Sequence, residues 1–462
     1  MRIDRLTVKN FKGFESRTFE FPRSIDAVEG GNGSFHLLIG QNGQGKTSAL
    51  DALAVAAGSW FLGVRAADSR HIQKEDIRVK VLDYRDTQRI EQQLPVVVDA
   101  TGRIGGTNLS WKRSLVSERT DRIGAKNIKA IAEKTVKSMQ SGEPDATLPL
   151  IAYYGTGRLW QEPRDMQGVK EQREGLSRPA PRAVGSDGPE EDLATSFSSR
   201  LAGYRFSLDP RCSPRDLLRW LRFEQQLAVQ DKKESTQFTV VKEAIRRSVE
   251  SCELVEFHLR LGLLLNIAGQ PRLPFGNLSD GQRNMIAMVG DLAYKAAQLN
   301  PHLGGNVLSA TPGIVMIDEL DLHLHPTWQQ HIVEDLRALF PEIQFIATTH
   351  SPFIVQSMRE GELIPLDAQP VQTTAKLGVE AIAEGLMGVK APHVGQRYQT
   401  MVAVAEQYLA ALNEAQSAAS VQLAAIEEQL AGLISPYADN PAYQAFLNME
   451  RIAALGSSNE AR

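Results

Sequence analysis

The chain has 462 residues, enough for a large core and more than one ordinary domain. With 51 Lys and Arg against 55 Asp and Glu, its net charge of −4 excludes a globally basic nucleic-acid binder and confines any such contact to local patches. Cys212 and Cys252 form no Cys-x-x-Cys pair, which argues against a zinc hook and against a disulfide framework.

The first motif in chain order is Gly40-Gln41-Asn42-Gly43-Gln44-Gly45-Lys46-Thr47, preceded by the apolar run 35–39. A helix is predicted over 48–57, with Leu50, Leu53, Ala54 and Ala57 on one face. Strand, glycine-rich loop and helix in this order make a phosphate-binding loop. Its glycines allow the backbone N–H groups of the loop, with Gly40, Asn42, Gly43, Gln44 and Gly45 in it, to turn inward around a phosphate. Lys46 reaches the β and γ oxygens of ATP, the Thr47 hydroxyl is a hard ligand for Mg²⁺, and Ser48 opens a helix whose positive end faces the anion.

Residues 76–115 read as antiparallel strands with a turn at Gly105-Gly106, residues 122–140 as helix, and residues 148–154 as a strand leading into Gly155-Thr156-Gly157-Arg158. From 161 to 199 the chain turns to Pro, Gly, Ser and mixed charge, the composition of a mobile loop. Residues 213–255 read as helical, around Leu217, Leu218, Trp220, Leu221 and Phe223 and then over 238–249. Sustained heptads are lacking, so this insertion is expected to be a short helical lobe and not a long coiled-coil arm. Residues 259–268 are too short to span a membrane and are broken by Asn266. No leader pattern follows Met1, and a cytoplasmic location with no membrane partner is expected.

The second motif is Leu278-Ser279-Asp280-Gly281-Gln282, at the start of a helix predicted over 281–299. Met285, Met288, Val289, Leu292, Ala296 and Leu299 form one apolar stripe on it. A helix N-terminus carrying a hydroxyl and a glycine is an anion site. Ser279, Gly281 and Gln282 lie 233 residues beyond Lys46 or farther. They are expected to cap the γ-phosphate held by a second copy, in a head-to-tail pair with two ATP molecules between the heads.

In the third motif a buried strand over 314–317 ends in Asp318-Glu319. Asp318 stands where a second Mg²⁺ contact is needed, and Glu319 where a water-positioning base belongs. His350 follows the next apolar run, 345–347, within Thr348-Thr349-His350-Ser351-Pro352, and is expected to sense the γ-phosphate. Beyond it, Met401, Ala405, Tyr408, Leu412, Ala415 and Ala419, then Leu423, Ile426, Leu430 and Leu433, approximate a short seam. Asn440-Pro441 opens a last helix with Tyr443, Phe446, Leu447 and Ile452. This tail reads either as an appendage on its own head or as a dimer or nuclease-docking surface. It shows no acidic clusters of the Toprim kind and no His-rich nuclease motif.

In order and content the three motifs resemble the SMC/RecF class of ABC ATPases, as do residues 3–14 and the block Glu-Leu-Asp-Leu-His-Leu-His-Pro at 319–326. Residues 152–160, 279–285 and 440–447 resemble the PtuA-type ATPase subunits of Septu and retron antiphage systems. The resemblance implies an α/β P-loop ABC-type head with an antiparallel β subdomain, a short helical insertion and a C-terminal helical appendage. The corresponding division is an N-terminal ATPase lobe (1–160), a loop and helical insertion (161–270), a C-terminal ATPase lobe (271–366) and a helical region (367–462). It further implies ATP hydrolysis with Mg²⁺, homo-oligomers built from head-to-tail pairs, and nucleotide-gated control of an HNH-type nuclease encoded nearby. In related heads the loop after the 148–154 strand couples the γ-phosphate to the other lobe. Gln161 is one candidate for that role, and Arg158 reads either as a coupling residue or as a structural arginine. A RecF-like repair ATPase with nucleic acid as its direct ligand is the alternative function, and a nucleotide-binding scaffold with negligible turnover is a third.

Overall fold

Apolar runs that do not alternate are the mark of strands covered on both faces, and they build the sheet that carries the site. The computed structural model describes residues 1–23, 33–64, 67–84, 87–117, 119–143, 145–158, 197–210, 214–367 and 377–389, with single helical positions between 400 and 449. Its strands are β1 (Arg2–Phe11), β2 (Phe14–Glu20), β3 (Ser34–Ile39), β4 (Val79–Tyr84), β5 (Thr87–Gln92), β6 (Val96–Ile104) and β7 (Thr107–Leu115). They continue with β8 (Leu150–Tyr154), β9 (Cys252–His258), β10 (Gly262–Ile267), β11 (Leu273–Pro274), β12 (Gly313–Ile317), β13 (Ile343–Thr348) and β14 (Leu363–Pro365). The helices are α1 (Lys46–Ala57), α2 (Lys126–Gln140), α3 (Arg215–Asp231), α4 (Thr236–Ser248), α5 (Asp280–Leu299), α6 (Val307–Ala310), α7 (Pro326–Leu339), α8 (Pro352–Gln356) and α9 (Val379–Gly385).

Five strands form an all-parallel sheet in the order β14-β3-β13-β12-β8. Every residue of β8, β12 and β13 is buried. Because β13 lies between β3 and β12, the residues following all three strands meet at the carboxyl edge, where open parallel sheets bind ligands. A second, antiparallel sheet runs β2-β1-β6-β7. In β6 the residues Val96, Val98, Ala100 and Ile104 face inward at every second position, as period-2 patterning requires. The turn at Gly105 and Gly106 joins β6 to β7, and β4 pairs with β5 as a separate hairpin. Helix α1 packs against strands of both sheets and is buried along its length except at Thr47 and Ser48. Trp111 of β7 donates its Nε1 hydrogen to the Ala56 carbonyl at 2.9 Å.

Two regions differ from expectation. Residues 252–255, expected to be helical, begin β9 of a three-stranded sheet ordered β11-β10-β9. Cys252, Val255 and Phe257 turn inward there, and the strand's two-residue spacing is too short to stand out beside the preceding helix. Helix α5 was expected to bury one stripe, but 16 of its residues are buried, Asn284, Asp291 and Lys295 among them. It packs against α3, α4, β8 and the 3₁₀ turn Arg200–Tyr204, and this many-sided enclosure leaves no solvent face.

The described residues fall into two units, Met1–Ile382 and Ala383–Arg462. In the second, Met401, Ala405 and Tyr408 are helical and Tyr408 is buried, as is helical Leu447. The other seam and last-helix positions, Leu412 through Leu433 and Tyr443, Phe446 and Ile452, lie outside the described residues, as do Gln161 and the loop as far as 196. No described helix is long and apolar enough to cross a membrane.

The start of β3 carries a buried polar knot. Arg2 donates to the Ser34 hydroxyl and to the carbonyls of Phe21 and Pro22, and His36 Nε2 lies 2.8 Å from the Pro22 carbonyl. Burial lowers the His36 pKa from 6.5 to about 4; the Pro22 hydrogen bond and Asp4 oppose the shift, and Arg2 and Arg337 add to it. The unfolded chain takes up this proton near pH 6.5 and the folded one only near 4, so stability is full above 6.5 and falls as pH drops toward 4. The expected loss from this group approaches about 3 kcal/mol. Denaturant melts of His36→Gln and the parent should show a shallower acid slope for the variant; equal slopes would refute the assignment.

Candidate nucleotide site

The loop between β3 and α1 holds itself in a phosphate-cradling shape. Gly45, the N-cap of α1, has φ +96°, and a Cβ there would stand 2.6 Å from the Phe14 ring, so only glycine fits. The Gln41 N–H donates to Gln44 Oε1 at 2.8 Å, closing the loop across its width. Lys46 is 7% exposed and donates to the carbonyls of Gly40 (2.6 Å) and Gln41 (3.3 Å). Desolvation lowers its pKa, opposed by the charges of Asp318, Glu319 and Asp321.

Across the cleft, the end of β12 is tied to β13 and to α1. Asp318 Oδ2 accepts from the Thr47 hydroxyl at 2.8 Å, and Oδ1 from the Thr348 hydroxyl at 2.7 Å. The Thr348 hydroxyl oxygen in turn accepts from the Glu319 N–H at 2.8 Å. Glu319 adopts φ +49°, a left-handed conformation costing about 1–3 kcal/mol in a residue with a Cβ. Asp321 accepts from the Thr349 hydroxyl and, at 3.1 Å, from the His350 N–H, fixing the turn that presents the exposed His350 ring.

These elements enclose a cleft of about 250 Å³ lined by Asn42, Gly43, Gly45, Lys46, Thr47, Ser48, Asp318, Glu319, Thr348 and His350. Thus nine of the residues singled out in the loop and at β12 and β13 share one wall-to-wall space, while Gly40 and Gln44 shape the loop without lining it. Thr47 Oγ1 and Asp318 Oδ2 converge as two hard oxygens, which fits Mg²⁺, an ion that keeps most of its waters and takes one or two protein ligands.

Ser279, Gly281 and Gln282 do not line this cleft. They form a capping box at the start of α5: Ser279 Oγ accepts from the Gln282 N–H at 3.3 Å, and Gln282 Oε1 from the Ser279 N–H at 3.0 Å. Gly281 packs so closely that a Cβ would stand 2.5 Å from the His323 carbonyl oxygen, which sets the signature turn against the segment following β12.

Sequence reasoning missed Thr348, Asp321 and Asn284, and left Arg158 undecided. Arg158 is 3% exposed and donates to the carbonyls of Gly155 (3.0 Å), Asp318 (2.8 Å) and Glu319 (2.9 Å) and to Asn284 Oδ1 (2.7 Å). The signal available was the Thr-Thr-His run for Thr348 and the acidic 319–326 block for Asp321. For the pairing of Arg158 with Asn284, 126 residues apart, there was none.

A parallel sheet with a glycine loop after β3, paired acids after β12 and a histidine after β13, joined to an antiparallel subdomain and a capped helix α5, defines a P-loop ATPase fold. Residues 5–253 match the family model described as an AAA domain, residues 197–356 match a second AAA-domain model, and the chain belongs to the AAA-domain family. It is 25% identical over 394 residues to "Retron Vc95 probable ATPase" of Vibrio cholerae serotype O1 biovar El Tor, covering 79% of this chain and 73% of that protein. It is 39% identical over 92 residues to "Septu protein PtuA" of Bacillus thuringiensis, 20% of this chain and 23% of that one. Among solved structures, the SMC head bound to the C-winged helix domain of ScpA aligns with 78% of this chain and 96% of its own at 15% identity and a TM-score of 0.39.

Proposed function

We propose that the chain is the ATP-hydrolysing subunit of a cytoplasmic antiphage defence assembly, in which ATP-driven head-to-tail pairing controls a partner nuclease of the HNH type. The observation that carries this reading is the single cleft shared by Lys46, Thr47, Asp318, Glu319 and His350. Lys46 exchanges its loop carbonyls for β and γ oxygens, and loop N–H groups cradle the same phosphates. Thr47 and Asp318 would hold Mg²⁺, which supplies neutralisation of phosphate charge. Glu319 orients water and accepts its proton, and His350 contacts the γ-phosphate. Ser279, Gly281 and Gln282, set outside the chain's own cleft, present the α5 N-terminus to the γ-phosphate of a second copy. The names of the retron and Septu relatives support the defence role.

Expression of the chain with its genomic neighbours, followed by affinity capture and native mass measurement with and without ATP, tests this. A complex containing an even number of copies and a nuclease, changed in mass or activity by ATP, is expected. A chain recovered without a nuclease that binds duplex DNA directly when ATP is present would instead support the repair-type reading.

A further inference from the structure

The hydrogen bonds of Arg158 join two parts of the molecule that act in different composite sites under the reading above. On one side it holds the carbonyls of Asp318 and Glu319, the backbone of the acids that face this chain's own nucleotide. On the other it donates Nε to Asn284, one turn into α5, whose N-terminus is presented to the nucleotide of a second copy. Asn284 then donates Nδ2 to the Leu322 carbonyl at 2.8 Å, closing a ring of bonds around the chain segment that packs on Gly281. A second tie lies two turns further along α5. Tyr154, the last residue of β8, donates to Asp291 Oδ2 at 2.7 Å, and Lys295 pairs with Asp291 Oδ1 at 3.2 Å. Asn284, Asp291, Lys295, Tyr154 and Arg158 are all at most 4% exposed, so water offers these groups no substitute partners.

We propose that Arg158 and Asn284 are positioning residues that make the acids of one site and the signature turn serving the other site move as a single body. The inference rests on the pairing reading, because only in a head-to-tail pair do these two surfaces face different nucleotides. A displacement of Glu319 toward the γ-phosphate is carried through Arg158 into the pitch of α5, and docking of the signature turn on a second copy is carried back. Loss of this link misplaces the reacting groups of an otherwise intact site, and a misplacement of about 1 Å costs on the order of 100-fold in rate. Nucleotide capture by Lys46 and the loop does not pass through Arg158.

The test uses the full chain and three variants, Arg158→Lys, Asn284→Ala and Asn284→Asp. Melting temperature, ATP affinity, steady-state kcat and KM, and ATP-dependent pairing are measured for each. Asn284→Ala and Arg158→Lys should keep ATP affinity within about threefold while kcat falls tenfold or more, the pattern of an interaction used only beyond nucleotide capture. Asn284→Asp keeps the acceptor for Arg158 but loses the donor to the Leu322 carbonyl, and should recover part of the kcat and pairing that Asn284→Ala loses. A purely structural role predicts that affinity and kcat fall together with melting temperature and that Asp rescues nothing; that outcome overturns the proposal. A folded Asn284→Ala with wild-type kcat and pairing also overturns it. Failure of the pairing reading is distinguished by the unmodified chain: turnover that needs no second copy leaves Arg158 only one site to serve and overturns the proposal as well.

Discussion

Glu319→Gln should bind ATP as the parent does and lose turnover by about 10²- to 10⁴-fold, the range that general-base catalysis contributes. The amide has the size of the carboxylate, and the backbone that aims it is set by other groups. The Glu319 N–H is bonded to Thr348 and its carbonyl to Arg158, so the left-handed turn survives the substitution. Lys46, Thr47 and Asp318 are untouched, and with them phosphate and metal binding. What goes is the capacity to accept a proton from water. Under the proposed pairing, in which hydrolysis opens the pair, the variant should accumulate as a long-lived ATP-bound pair, visible as a doubled mass in size-exclusion light scattering with ATP and Mg²⁺. Turnover at the parent's rate would remove Glu319 from the catalytic role. Turnover lost together with ATP affinity would place it in ground-state binding instead.

Much of the site was legible because its chemistry is local. A glycine loop between an apolar run and a helix needs no long-range information, and neither do two acids after a run of four buried residues. Lys46, Thr47, Asp318, Glu319 and His350 meet because β3, β12 and β13 are neighbours, and each lies within two residues of a strand end or, for Lys46 and Thr47, at the start of the helix that follows one. Arg158 was not legible in this way. Its partners Asn284, Asp318 and Glu319 lie 126, 160 and 161 residues away, and its character as a buried scaffold arginine appears only when α5 is placed beside the end of β8. In α5 itself, the sequence showed one apolar stripe, and the polar residues Asn284, Asp291 and Lys295 outside it are paired inside the fold. Period-based reading assumes that polar positions face water, and it fails where buried polar groups satisfy one another. The strand β14, three residues long and ending in Pro365, was too short for any pattern to announce it.

Ser279→Arg should abolish ATP-driven pairing and turnover while leaving nucleotide binding by a single head. The substitution removes the N-cap hydroxyl of α5, at a cost of about 1 kcal/mol, against a total stability on the order of 5–15 kcal/mol, so the head stays folded. Ser279 is outside the chain's own cleft and contributes nothing to the loop that captures ATP. In the proposed pair, an arginine there places bulk where the γ-phosphate of the second copy approaches the helix N-terminus. Lys46→Ala is the complementary lesion, since it removes phosphate capture and leaves the signature turn whole. Each variant alone should be inactive. In an equal mixture half of the pairs are mixed, and each mixed pair joins the intact loop of the Ser279→Arg chain to the intact signature of the Lys46→Ala chain. One of its two sites works, so recovery should approach about one quarter of the parent's turnover. Recovery well below that fraction, in pairs shown by mass to be mixed, would mean that the damaged site restrains the intact one. No recovery at all, in pairs shown by mass to be mixed, would show that both halves of the site belong to one chain.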